Sequence, residues 1–99
     1  MQYLMQDEEF EWDDAKAALN WRNHGVSFEM ARGVFKDIFA LEWTDDRHGD
    51  AEERFVTVGT VEGRLLFVVY TLRGERIRII SAREAEPRER RRYHSENET

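Results

Sequence analysis

Between Arg64 and Tyr93 the chain carries nine arginines, four glutamates and no lysine. A guanidinium is a planar fork of N–H donors that grips a phosphate at two points, so an all-arginine basic segment favours phosphate recognition over a merely solvated face. His24 is a second chemistry-bearing residue, because an ordinary imidazole titrates near pH 6.5 and can give or take a proton close to neutrality (roughly, for an unperturbed side chain). Its place before Gly25 suits it equally to cap a helix C-terminus as a cation. A third cluster, Asp45, Asp46, His48, Asp50, Glu52 and Glu53, is dense enough in carboxylates for a hard divalent cation. It has no recognised ligand spacing, and a solvated loop accounts for it better. His24, His48 and His94 lack zinc spacing and the chain has no cysteine, so no metal and no other cofactor is expected.

The overall net charge is −6. That sum hides an asymmetry: residues 1–63 hold 6 Lys/Arg against 15 Asp/Glu, and residues 64–93 hold 9 Arg against 4 Glu. Phosphate binding follows local positive surface rather than the total. The first residues lack the basic start and apolar run of a signal peptide, and no stretch approaches the roughly 18 apolar residues of a membrane span. A cytoplasmic chain without membrane contact is the expectation.

The elements that must position these residues follow from the punctuation. Asp13 or Asp14 is an N-cap for a helix reaching His24, with Gly25 as its left-handed terminator. Ala15, Ala18 and Leu19 make an apolar side of that helix, and Lys16, Asn20 and His24 recur along another. Ser27 caps a second helix to about Lys36, burying Phe28, Ala31, Val34 and Phe35. Residues 10–12 form a short strand or an extended lead-in. Strands are then expected at 39–43, 54–61, 64–72 and 76–83, with hairpin turns at Glu62-Gly63 and around Gly74. Tyr70, inside an apolar strand, is expected in the core. Pro87 starts a short closing helix. The fold class is therefore α+β, with two N-terminal helices, a four-stranded antiparallel sheet and a short C-terminal helix. Residues 1–9 are expected to be a flexible leader, 10–94 one domain, and 95–99 a flexible tail.

Three segments in this order, FEWDDAKAALNWRNHGVSF at 10–28, EERFVTVG at 52–59 and RIRIISAREAEPRERRRY at 76–93, resemble the BrnT family of toxins. With LLFVVYT between them, the likeness runs from Phe10 to Tyr93. One departure is Asn23, where the family often has a basic residue. The resemblance implies a RelE-like fold and metal-independent cleavage of RNA that arrests translation. It also implies a ribbon-helix-helix antitoxin that neutralises the toxin, and repression of their promoter DNA through the toxin–antitoxin complex alone.

Metal-free RNA cleavage uses the 2′-OH as nucleophile, so the site must take its proton, protonate the leaving 5′-oxygen and stabilise charge at phosphorus. Arg83 is the leading phosphate clamp, followed by Arg78 and Arg54; each is otherwise a surface arginine paired with a glutamate. Strict alternation puts Arg78 and Arg83 on opposite faces of an ideal strand, so a bend is needed to bring both to one site. His24 is a candidate acid or base, and Glu53 a base or an orienting partner of Arg54. For RNA binding the candidates are Lys16, Arg76 and Tyr93, the last of which can stack on a base or pack its helix onto the sheet. Two other readings stay open: a non-catalytic antitoxin-binding module of the same fold, and a metal-dependent nuclease using the acidic loop.

Overall fold

The computed structural model describes residues 9–46 and 52–98, and the backbone of residues 4–6. Among these residues six strands form one mixed sheet: β1 (Leu4–Gln6), β2 (Phe10–Asp13), β3 (Leu41–Asp45), β4 (Arg54–Val61), β5 (Arg64–Arg73) and β6 (Arg76–Glu84), in the spatial order β1-β2-β6-β5-β4-β3. The β3–β6 meander is antiparallel as expected from sequence. The expected four-stranded antiparallel sheet is nevertheless too small. Phe10–Asp13 joins it as a strand parallel to β6, with Phe10 opposite Ile77 and Glu11 opposite Arg78, and Leu4–Gln6 pairs outside it. A four-residue segment has too few residues to show a period, and its partner lies 67 residues later in the chain.

Helix α1 (Asp14–His24) starts where Asp13 accepts a hydrogen bond from the Lys16 N–H (3.1 Å) and stops at Gly25, whose φ of 65° lets its N–H return to Trp21 O. Its buried side is not the expected one. Ala15, Ala18 and Leu19 are exposed, and Ala17 and Asn20 face the sheet. Asn20 decides this orientation. Its Nδ2 donates to Val26 O (2.9 Å) and Ala82 O (2.8 Å), and its Oδ1 accepts from the Ala82 N–H (3.1 Å). The carboxamide thus serves both polar groups of one residue of β6, which small apolar side chains elsewhere on the helix cannot offset.

Helix α2 (Phe28–Ala31) is capped by Ser27, as expected, but after one turn it tightens into a 3₁₀ segment at Arg32–Lys36. Gly33 permits the close approach to β4, because a Cβ there would stand 2.4 Å from a Val61 methyl carbon. Asp37 then makes a turn by accepting from the Phe39 N–H, and β3 therefore begins at Leu41 rather than at Phe39. Phe10, Trp12, Phe28, Val34, Leu66, Val68 and Ile79 fill the core between these helices and one sheet face. Helix α3 (Pro87–Glu96) covers part of the other face, where Tyr93 packs with Val56, Val58, Leu65, Phe67 and Val69.

Candidate active site

The face under α3 receives the arginines, and a β-bulge is the reason. Val69 pairs with Ser81, but Tyr70 pairs with Ile79, so Ile80 is an extra residue in β6. The bulge resets the alternation. Arg76, Arg78, Ser81 and Arg83 all fall on the α3 side, opposite Arg73, Thr71, Val69 and Phe67 in turn. Arg54 shares that side, since it alternates in phase with Val56 and Val58 of the α3-side core and pairs across the sheet with Asp45. The bend that the sequence required is thus present. Arg78 and Arg83 still lie opposite β5 residues four positions apart, about 13 Å along a strand. That separation suits two phosphates of one strand better than two contacts to one phosphate.

Each of these two arginines is held by a carboxylate. Arg83 donates from both terminal nitrogens to Glu89 of α3 (2.9 and 2.8 Å) and to Glu84 O (3.0 Å), with its guanidinium carbon 4.0 Å from the Phe67 ring centre. Burial pushes the Glu89 carboxyl up, but hydrogen bonds from Arg83 and from the Glu86 N–H, with the charges of Arg83 and Arg88, outweigh it and hold Glu89 below its ordinary value. Arg78 donates to Glu11 at 2.7 Å, with side chains 17% and 11% exposed. Fixed cations of this kind need no reorganisation when charge develops beside them. Nothing local announces these partners: Glu11 sits within an acidic start, and Glu89 forms the second half of the capping box with Glu86.

Glu53 is exposed, and its backbone carbonyl accepts from the Thr71 hydroxyl (2.6 Å). Glu52, Glu53, Phe55, Thr71, Leu72 and Arg73 line an open groove of about 440 Å³, and Thr71 is the register partner of Arg78. The groove shares Thr71 with the Arg78 row of the sheet, takes Phe55 and Leu72 from the opposite face, and contains a carboxylate next in sequence to Arg54.

Other expected site residues lie elsewhere. Lys16 and His24 are exposed on α1, whose inner side packs against the opposite sheet face, and neither bonds to the arginines. His24 stands in the last turn, where a cation suits the helix dipole. Tyr93 is only 6% exposed and donates its hydroxyl to Asp37 (2.7 Å), so it packs rather than offering a ring face to a base. Tyr70 is in the core and donates to Glu42 (3.0 Å); burial first, then the Glu42 charge and hydrogen bond, push its phenol up. His48 and Asp50 of the acidic loop lie outside the described residues. Among the described residues no three histidines or carboxylates are placed to hold a metal ion.

Residues 12–89 match a family model described as "Ribonuclease toxin, BrnT, of type II toxin-antitoxin system". No curated protein sequence matches the chain. The matched span includes Glu53, Arg54, Arg76, Arg78, Arg83 and Glu89, and begins one residue after Glu11. Among the described residues no helix is long and apolar enough to cross a membrane.

Proposed function

The chain belongs to the BrnT family of ribonuclease toxins of type II toxin–antitoxin systems, and from that premise we propose that it cuts RNA without a metal on the α3-covered face of its sheet. The observation that carries this reading is the bulge at Ile80, which puts Arg76, Arg78 and Arg83 on the side shared by Arg54. Glu53, next in sequence to Arg54, supplies the carboxylate. Glu53 takes the proton of the 2′-OH as its oxygen bonds to phosphorus. The P–O5′ bond breaks, its electron pair leaves with the 5′-oxygen, a water molecule protonates that oxygen, and the resulting hydroxide takes back the proton held by Glu53. The products are a 2′,3′-cyclic phosphate and a 5′-OH. Arg54 and Arg78 stabilise the charge that builds on the non-bridging oxygens, Arg83 holds a neighbouring phosphate, and Arg76 contributes to RNA binding. Lys16 and His24 take no part in the reaction on this face.

The toxin acts in the cytoplasm, is neutralised by a ribbon-helix-helix antitoxin and represses its promoter as the complex. Incubation of purified protein with RNA in EDTA tests the chemistry. Cleavage should persist and leave 5′-OH ends; loss of cleavage in EDTA, or 5′-phosphate ends, would replace this mechanism with a metal-dependent one. Glu53→Gln should lower the rate constant by about 10²-fold or more, as for loss of a general base. Its melting temperature should stay unchanged, because the side chain is exposed.

A second reading has one observation in its favour. Arg78 and Arg83 are already neutralised by Glu11 and Glu89, as suits a non-catalytic protein that only holds an antitoxin. Induced expression without the antitoxin separates the two: intact RNA and unimpeded growth would establish the binding role.

A further inference from the structure

We infer that the outward side of α3, with Arg88, Arg90 and Arg91, is a binding track for the RNA phosphate backbone leading to Arg83; the inference rests on the ribonuclease reading above. The helix is sharply two-sided. Glu89, Tyr93 and Asn97 recur every four residues and tie it to the body through Arg83, Asp37 and Phe39 O. Arg88, Arg90, Arg91 and His94 are exposed, and Arg90, Arg91 and His94 line an open groove of about 690 Å³.

Pairing divides eight of the nine arginines of residues 64–93 into two kinds. Arg64, Arg73, Arg78, Arg83 and Arg92 each form an ion pair with a glutamate. Among the described residues Arg88, Arg90 and Arg91 form none, although the charge of Arg88 is felt by Glu89. A neutralised arginine releases few counterions when a phosphate arrives, whereas an open one contributes fully to the salt-dependent attraction. A protein of net charge −6 repels RNA at a distance, so capture falls to the cations that no carboxylate has neutralised.

The arrangement is also poor for helix stability. Arg88 places a cation in the first turn, against the helix dipole, and Arg88 and Arg91 are like charges at i,i+3. Local rules broken in this way mark functional surfaces. Position supports the same reading: Arg88 adjoins Glu89 in the chain, and Glu89 grips Arg83. An RNA strand lying along α3 therefore arrives at the candidate site. The strand arginines are held still for the reaction, and the helix arginines gather the substrate.

The test is fluorescence anisotropy with a single-stranded RNA oligonucleotide, 2′-O-methylated throughout so that it cannot be cut, over a salt series. Replacing Arg88, Arg90 and Arg91 together by Gln should flatten the plot of log K against log salt by about 2, from about 0.7 per phosphate contact. Affinity in low salt should fall at least tenfold. Arg91→Gln alone should change the slope by about 0.7, which keeps the test valid if the triple variant folds poorly. Arg22→Gln with Lys36→Gln, exposed cations elsewhere, should leave affinity and slope unchanged. An unchanged slope in the triple variant that still cuts RNA would overturn the track alone. Loss of antitoxin binding with RNA affinity intact would make the face a protein-docking surface and overturn it too. A wild-type protein that neither binds nor cuts RNA would overturn the track and the ribonuclease reading together.

Discussion

Asn20 shows how one polar side chain can decide what a helix presents. It makes three hydrogen bonds, two joining α1 to β6 through the N–H and C=O of Ala82 and one reaching Val26 O. Asn20→Ala strands those groups and Val26 O in a buried setting, at a cost of about 1–3 kcal/mol for each unmet group before relaxation. The expected outcome is a loss of about 3 kcal/mol in urea unfolding, and an unchanged midpoint would show that water replaces the carboxamide without cost. Thr57 presents the opposite case. Its hydroxyl is buried with no hydrogen-bond partner among the described residues, and Thr57→Val keeps the shape. Stability should rise by about 1 kcal/mol, read from the same urea titration. The sequence marked Lys16, Asn20 and His24 as one polar row, but spacing alone does not tell which member points inward. Residue type suggests arginine for phosphate, and that reading stays a proposal. The partner Glu11 was not legible, because nothing local distinguishes a carboxylate that will meet a guanidinium 67 residues away. Nor was Glu89, whose place in the first turn of α3 is already accounted for by the capping box.

At the scale of elements, helix ends and hairpins were legible because their chemistry is local: the Asp13 and Ser27 caps, Gly25, and Pro87 at the start of α3. The bulge at Ile80 was not. An isoleucine in RIRIISAR carries no mark of being unpaired, although it decides which side Arg76 and Arg78 share with Arg83. Packing of α3 onto the sheet through Tyr93 was foreseen, but its tie to Asp37 was hidden, since that residue lies in a turn far from it. Asp37 accepts from the Thr60 N–H, the Tyr93 hydroxyl and the Phe39 N–H. Burial pushes its carboxyl up, but these bonds outweigh burial and hold it below the ordinary value of 3.8. A carboxyl whose folded pKa is lowered adds stability above its unfolded pKa and loses it as pH falls through the folded one. Melting temperature should therefore drop as pH is lowered from about 5 towards 3. Asp37→Asn should be less stable at pH 7 and flatter over that window, the remaining slope coming partly from Glu89, which is lowered in the same sense. Parallel curves for the variant and the wild type would remove Asp37 from the acid response.

Over the whole molecule, the charge asymmetry of the sequence becomes partly an internal pairing. Carboxylates from the acidic first 63 residues meet arginines from the basic remainder at Glu11–Arg78 and Glu52–Arg73. Strand β2 makes the first of these possible by lying beside β6, so the candidate site depends on a chain segment whose strand character the sequence left undecided. Trp12 fixes that segment. It is 3% exposed and meets Phe28 edge to face, with ring centres 5.9 Å apart. Trp12→Ala removes the anchor at about 3–5 kcal/mol, a large share of the roughly 5–15 kcal/mol that holds a domain of this size together. The urea midpoint should fall accordingly with the slope unchanged. Glu11 is the neighbour of Trp12 and the carboxylate that fixes Arg78, so a second effect follows. Well below its own melting temperature, where the variant is still folded, Trp12→Ala should cut RNA more slowly than wild type. Full activity in that folded state would mean that β2 supports the sheet but does not position Arg78 for the reaction.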